Sequence, residues 1–146
     1  MRDLPRQLSA EELAELFEGR TRLVELLAER EDPLGSADEV LAELTEAEEL
    51  EALNAHPAIG ARAGLSERSA AEQGADADPV ILTELAYLNQ VYEEKFGFRF
   101  VVFVDGRAKA EILEVLRGRL ERDREQELET GLRELVAIAR DRWERS

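Results

Sequence analysis

The segment NAHPAIGAR, residues 54–62, holds the chain's one histidine, His56, followed directly by Pro57. An imidazole titrates at about 6.5, so His56 can give and take a proton near neutrality and is the natural centre for acid–base chemistry. A structural or merely exposed imidazole fits the same residues. The element SAAEQ, 69–73, sets Ser69 three residues before Glu72, with Gln73 beside it. That is capping-box spacing, in which each side chain satisfies a free backbone donor at a helix start. Free amides at a helix N-terminus also favour an anionic ligand, so Glu72 reads both as a cap and as a pocket residue. The run FRFVVFV, 98–104, reads as buried core, and its backbone groups equally suit a planar, amide-rich ligand. Arg140, Arg142 and Arg145 read as a solvated face or as a carboxylate clamp.

Other chemistries lose their usual support. Cysteine is absent, which removes disulfides, thiolate zinc sites and a cysteine nucleophile together. With one histidine and no HExxH or EF-hand spacing among the carboxylates, no metal is expected. There is no GxSxG elbow, Walker loop or GxGxxG fingerprint, so proton transfer is what remains.

The elements that must position these groups are punctuated clearly. Ser9 with Glu12 opens a first helix that closes at Gly19, and a second apolar stripe through Leu23, Leu26 and Leu27 stops before Pro33. Ser36 with Glu39 and Thr45 with Glu48 repeat the box at the heads of two short helices. Residues 55–79 read as loops with one short helix starting near Ser66 or Ser69. Asp78 and Pro79 then cap a helix carrying Ile81, Leu82, Leu85, Leu88, Tyr92 and Phe96, ended by Gly97. The β-branched and aromatic stretch 98–104 is a lone extended segment, which must find its backbone partners elsewhere, before the turn at Asp105-Gly106. Two helices finish the chain, one with Ile112, Leu113, Leu116 and Leu120 on a face, the other with Leu128, Leu132, Leu135, Val136, Ala139 and Trp143. The expected fold is all-α, a compact single-domain multi-helix bundle over 1–146 with one short extended segment near 98–104.

Composition bounds the partners. A chain of 146 residues buries about two-thirds of the surface its unfolded form exposes, enough for a pocket with dry walls. The net charge of −15 repels a phosphate backbone, so nucleic acid is not an expected partner. No window approaches the roughly 18 apolar residues of a membrane span, and the N-terminal stretch has no apolar run of signal-peptide length. The expectation is a cytoplasmic protein away from the membrane.

In this order, HPAIGAR, SERSAAEQGAD, LNQVYEEKFGFRFVVFVDGRAKAEIL and ELVAIARDRW resemble the OHCU decarboxylase family of urate degradation across nearly the whole chain. The most specific string is N..Y...FGF.F followed by GR.K and IL, carried by Asn89, Tyr92, Phe96, Gly97, Phe98, Phe100, Gly106, Arg107, Lys109, Ile112 and Leu113. The resemblance implies an all-helical homodimer and a cofactor-free decarboxylation of 2-oxo-4-hydroxy-4-carboxy-5-ureidoimidazoline to (S)-allantoin. His56 then matches the catalytic histidine and Glu72 the glutamate that orients the ureido side. Pro57, Ser69 and Gln73, the main chain of Phe100, Val101, Val102, Phe103 and Val104, and Arg142 as the cation for the anionic substrate complete the implied site. The chain departs from the common family pattern at Leu23, where many members have tryptophan, and at DRW, 141–143, where many end in LRL. A non-catalytic helical binding or interaction protein, or the same scaffold acting on another ureido acid, is the alternative.

Overall fold

The computed structural model describes residues 8–56 and 78–145. Among them are seven helices: α1 (Ala10–Phe17), α2 (Arg22–Ala28), α3 (Ala37–Glu43), α4 (Glu46–Ala55), α5 (Pro79–Phe96), α6 (Lys109–Arg119) and α7 (Arg124–Arg145). No strand occurs among the described residues; the stretch from Arg99 to Val104 is extended without a ladder partner. The all-α expectation holds, and the short helix expected near Ser66 or Ser69 lies outside the described residues.

Side-chain caps fix most of the boundaries. Ser9 accepts from the Glu12 amide at 3.1 Å while the Ser9 amide donates back to Glu12 Oε1 at 3.1 Å. Thr45 and Glu48 close the same reciprocal pair at 3.2 and 2.8 Å. Each such cap is worth about 1 kcal/mol. Asp78 Oδ1 accepts from the Val80 amide at 2.9 Å, and Pro79 follows at the first helical position, where its missing N–H costs nothing. Gly97 ends α5 at φ 83°, the left-handed conformation that only glycine adopts cheaply.

Two boundaries differ from expectation. Ser36 heads α3 but makes no capping bond, because its ψ of 5° continues a turn instead of extending. That turn is closed by Asp32, whose Oδ1 accepts from the Gly35 amide and whose carbonyl accepts from the Ser36 amide. Glu39, freed from the expected box, pairs with Arg30 at 3.5 Å. At the end of α1 the left-handed residue is Glu18, φ 63°, and not the glycine beside it. Gly19 is needed for proximity: a Cβ there would lie 3.1 Å from that of Ala55, so the ends of α1 and α4 can meet.

The 22-residue α7 spans about 33 Å and is the axis of the bundle. It packs on α1 and α4, while α2 packs on α1, α3 and α4, and α5 packs on α6. At Gly131 the α4 contact is tight, with Leu53 Cδ2 3.1 Å from where a Cβ would be. Tyr92 is the centre of an aromatic cluster, its ring 4.6 Å from Phe96, 6.0 Å from Phe98 and 5.2 Å from Phe100. These tilted and edge-on contacts join α5 to the extended segment.

Candidate active site

Local sequence explains why His56 is where it is. A residue before proline is pushed out of the helical region, so α4 ends at Ala55 and His56 turns extended at φ −77°, ψ 136°. Its amide still donates to the Leu53 carbonyl at 3.2 Å. The imidazole is 8% exposed, and its Nδ1 has no hydrogen-bond partner among the described residues. A helix C-terminus ordinarily favours an imidazolium. Burial outweighs that here and, with the positive charges of Arg142 and Arg99 opposed by Glu18, pushes the histidine down to about 4. At neutral pH His56 is therefore an uncharged ring with one nitrogen unengaged.

Three charged groups surround it. Arg142, on α7, is 1% exposed and donates to the Leu16 carbonyl at 2.8 Å. It also lies 3.1 Å from Glu18, whose left-handed backbone brings its carboxylate to the guanidinium. Arg99 comes from the opposite direction, at the start of the extended stretch, and donates through Nη1 to the His56 carbonyl at 2.6 Å. Of the three arginines read as a solvated face or clamp, Arg142 is core, Arg140 donates to the Leu34 carbonyl, and Arg145 pairs with Asp141 at 2.9 Å.

The extended segment finds its backbone partners in side chains. Val101 O accepts from Arg119 Nη1 at 2.6 Å, Phe103 N–H donates to Glu134 Oε1 at 3.2 Å, and the Phe103 and Val104 carbonyls accept from Arg107 at 2.6 and 3.1 Å. No partner occupies the backbone groups of Phe100 and Val102 among the described residues. Arg119 is itself fixed by Glu127, which is fully buried and accepts from Arg119 Nε at 2.7 Å, Tyr92 Oη at 2.5 Å and Arg122 Nη1 at 3.0 Å. The guanidinium also lies 4.6 Å from the centre of the Phe100 ring, a cation–π contact that pins the segment from its apolar side.

His56, Phe100 to Val104 and Arg142 are thus placed in the described part of the fold, with Arg99 bridging the first two. Pro57, Ser69, Glu72 and Gln73 lie outside the described residues. Sequence reading missed Arg99, Glu18, Arg119, Glu127 and Glu134. For Arg99 a signal existed, a lone charge inside an apolar run; for the others, single charges among many gave none. An open groove of about 640 Å³ lies elsewhere, between α3, α4 and α7, lined by Leu41, Leu128 and Leu132 with Glu49 and Arg133 at its edge. It does not reach His56. Among the described residues no cluster of three or more acidic or histidine side chains could hold a metal ion, and no helix is long and apolar enough to cross a membrane.

Comparison with known proteins agrees with this architecture. The chain is 31% identical over 125 residues to the 2-oxo-4-hydroxy-4-carboxy-5-ureidoimidazoline decarboxylase of Halalkalicoccus jeotgali, a match covering 78% of this chain and 71% of that protein. It is 34% identical over 98 residues to a uric acid degradation bifunctional protein of Bacillus subtilis, covering 64% of this chain and 20% of that one. The chain spans only 20% to 30% of the length of the bifunctional relatives it matches. A crystal structure of OHCU decarboxylase in the presence of (S)-allantoin superposes with a TM-score of 0.76 at 26% identity, covering 90% of this chain and 94% of that one. The family model of OHCU decarboxylase matches residues 2–144, and the chain belongs to that family.

Proposed function

We propose that this protein decarboxylates 2-oxo-4-hydroxy-4-carboxy-5-ureidoimidazoline to (S)-allantoin in urate degradation, with His56 as the general acid/base. The observation that carries the reading is the buried, uncharged His56, whose Nδ1 has no partner among the described residues, held beside a backbone segment whose Phe100 and Val102 groups likewise have none among them.

Loss of carbon dioxide leaves the electron pair of the broken C–C bond on the heterocycle, and the product carbon must take one proton on one face. An uncharged imidazole accepts the substrate's hydroxyl proton as the carboxylate leaves as carbon dioxide, then, as an imidazolium, delivers that proton to the ring carbon, while a proton from water neutralises the anion left on the heterocycle. Such acid–base help is worth roughly 10²- to 10⁴-fold in rate. The amides of the 100–104 segment suit the planar ring, and preorganised donors of this kind stabilise charge developing on it. Arg142 supplies positive potential for an anionic substrate in a chain of net charge −15. Glu72, with Pro57, Ser69 and Gln73, completes the proposed site and orients the ureido group. The same reading has residues 1–146 act as one domain and a cofactor-free homodimer in the cytoplasm.

Circular dichroism in the allantoin band tests it, starting from urate with urate oxidase and hydroxyisourate hydrolase present. The spontaneous route gives racemate, so the expected result is an (S)-allantoin signal that forms faster than background and disappears with His56→Gln. No enantiomeric enrichment from the folded protein would overturn the proposal.

A further inference from the structure

The contact between the histidine and the extended segment runs through one pair of residues. The Arg99 amide donates to Asn54 Oδ1 at 3.0 Å, and Arg99 Nη1 donates to the Asn54 carbonyl at 3.2 Å and the His56 carbonyl at 2.6 Å. These carbonyls lie at the C-terminus of α4, where a helix leaves its last acceptors without internal donors. Arg99 satisfies them from a point more than 40 residues along the chain, and its own peptide leads directly into Phe100.

We propose that Arg99, seated on Asn54, is a positioning residue that sets the His56 imidazole in register with the 100–104 backbone. The inference rests on the proposed function for what that register serves. Its structural content stands apart: three hydrogen bonds, two to Asn54 and one to the His56 carbonyl, tie the end of α4 to the residue that precedes Phe100. A lysine does not reproduce the arrangement, because Arg99 reaches both carbonyls through Nη1 at the far end of a rigid planar guanidinium, and a shorter, flexible ammonium lacks that reach and fixed orientation. Arg99 Nε is buried without a partner among the described residues, as is His56 Nδ1, so both retain a polar atom not spent on the fold. The charged groups acting on the imidazole are Arg142 of α7, Glu18 at the end of α1, and Arg99 itself.

The single histidine makes the test direct, since the chain gives one set of imidazole signals in proton NMR. Arg99→Met removes the charge and both side-chain hydrogen bonds, and the His56 titration is expected to rise. Arg99→Lys keeps the charge and is expected to leave the titration near the parent. Both are expected to lose about 100-fold in kcat with little change in KM, the usual cost of a small misplacement of a catalytic group. Should either variant fail to fold, the exposed Asn54 carries the test. Asn54→Ala is expected to lower kcat at least tenfold, and Asn54→Asp, which restores the acceptor, to recover most of it. Parent-like kcat in Arg99→Met or Asn54→Ala would overturn the proposal, whatever the titration does. If the parent shows no decarboxylase activity while Arg99→Met still shifts the titration, the proposed function fails and the Arg99 clamp on His56 stands. An unmoved titration in an inactive protein overturns both.

Discussion

Acidification should unfold this protein partly through a single side chain. His56 titrates near 4 in the fold and near 6.5 in the unfolded chain. Above 6.5 neither state holds the extra proton, and the histidine makes no pH-dependent contribution. Between 6.5 and 4 only the unfolded chain binds it, so stability falls as the pH drops; below 4 both states are protonated and the loss is complete. The linkage gives about 2 kcal/mol lost at pH 5 and about 3 kcal/mol in full. Glutamine at this position does not titrate, so urea unfolding of the parent and of His56→Gln, at pH 7 and pH 5, isolates the effect. Carboxylates titrate alike in both proteins and cancel in the difference. With a urea dependence of about 2 kcal/mol per molar, the gap between the two midpoints should change by about 1 M between the two pH values. Midpoints that move in parallel would show that the imidazole takes its proton freely in the fold, and the argument from burial would be wrong.

Two further outcomes follow from the same contacts. Glu127→Gln leaves the buried guanidinium of Arg119 without its counter-charge and should cost about 3–5 kcal/mol in urea or thermal unfolding; a loss below 1 kcal/mol would mean that Arg119 is solvated. Gly97→Ala should cost about 1 kcal/mol or more from backbone conformation alone, since nothing lies within 4 Å of the added Cβ. A neutral result there would show that α5 can end in another conformation.

Much of the fold is legible in residue order because the chain caps its helices locally. Ser9, Thr45, Asp78 and Gly97 all act as their neighbours imply, each through an interaction spanning four residues or fewer. Ser36 fails for a reason equally local in origin but not visible in spacing: Asp32 has already closed the preceding turn. The site is legible only in part. His56-Pro57 announces a helix end, and the apolar run at 98–104 announces a segment needing partners. The identity of those partners was out of reach, since Arg119, Glu127 and Glu134 meet the segment through packing between distant elements. Glu18 was hidden likewise, as was the burial of Arg142 against it, because burial of a pair of charges depends on where two helix ends arrive.

The backbone of α7 has a bearing on how this chain can change over generations. Glu127, Glu134 and Arg142 stand on one uninterrupted helix, about 10 and 12 Å apart along its axis, and serve the two ends of the candidate site. An inserted or deleted residue between Glu127 and Glu134 would swing everything beyond it by about 100° and dephase the Phe103 and Leu16 attachments in one step. Point changes can accumulate along this helix, but its length is locked, whereas the turn at Asp105-Gly106 has room to grow.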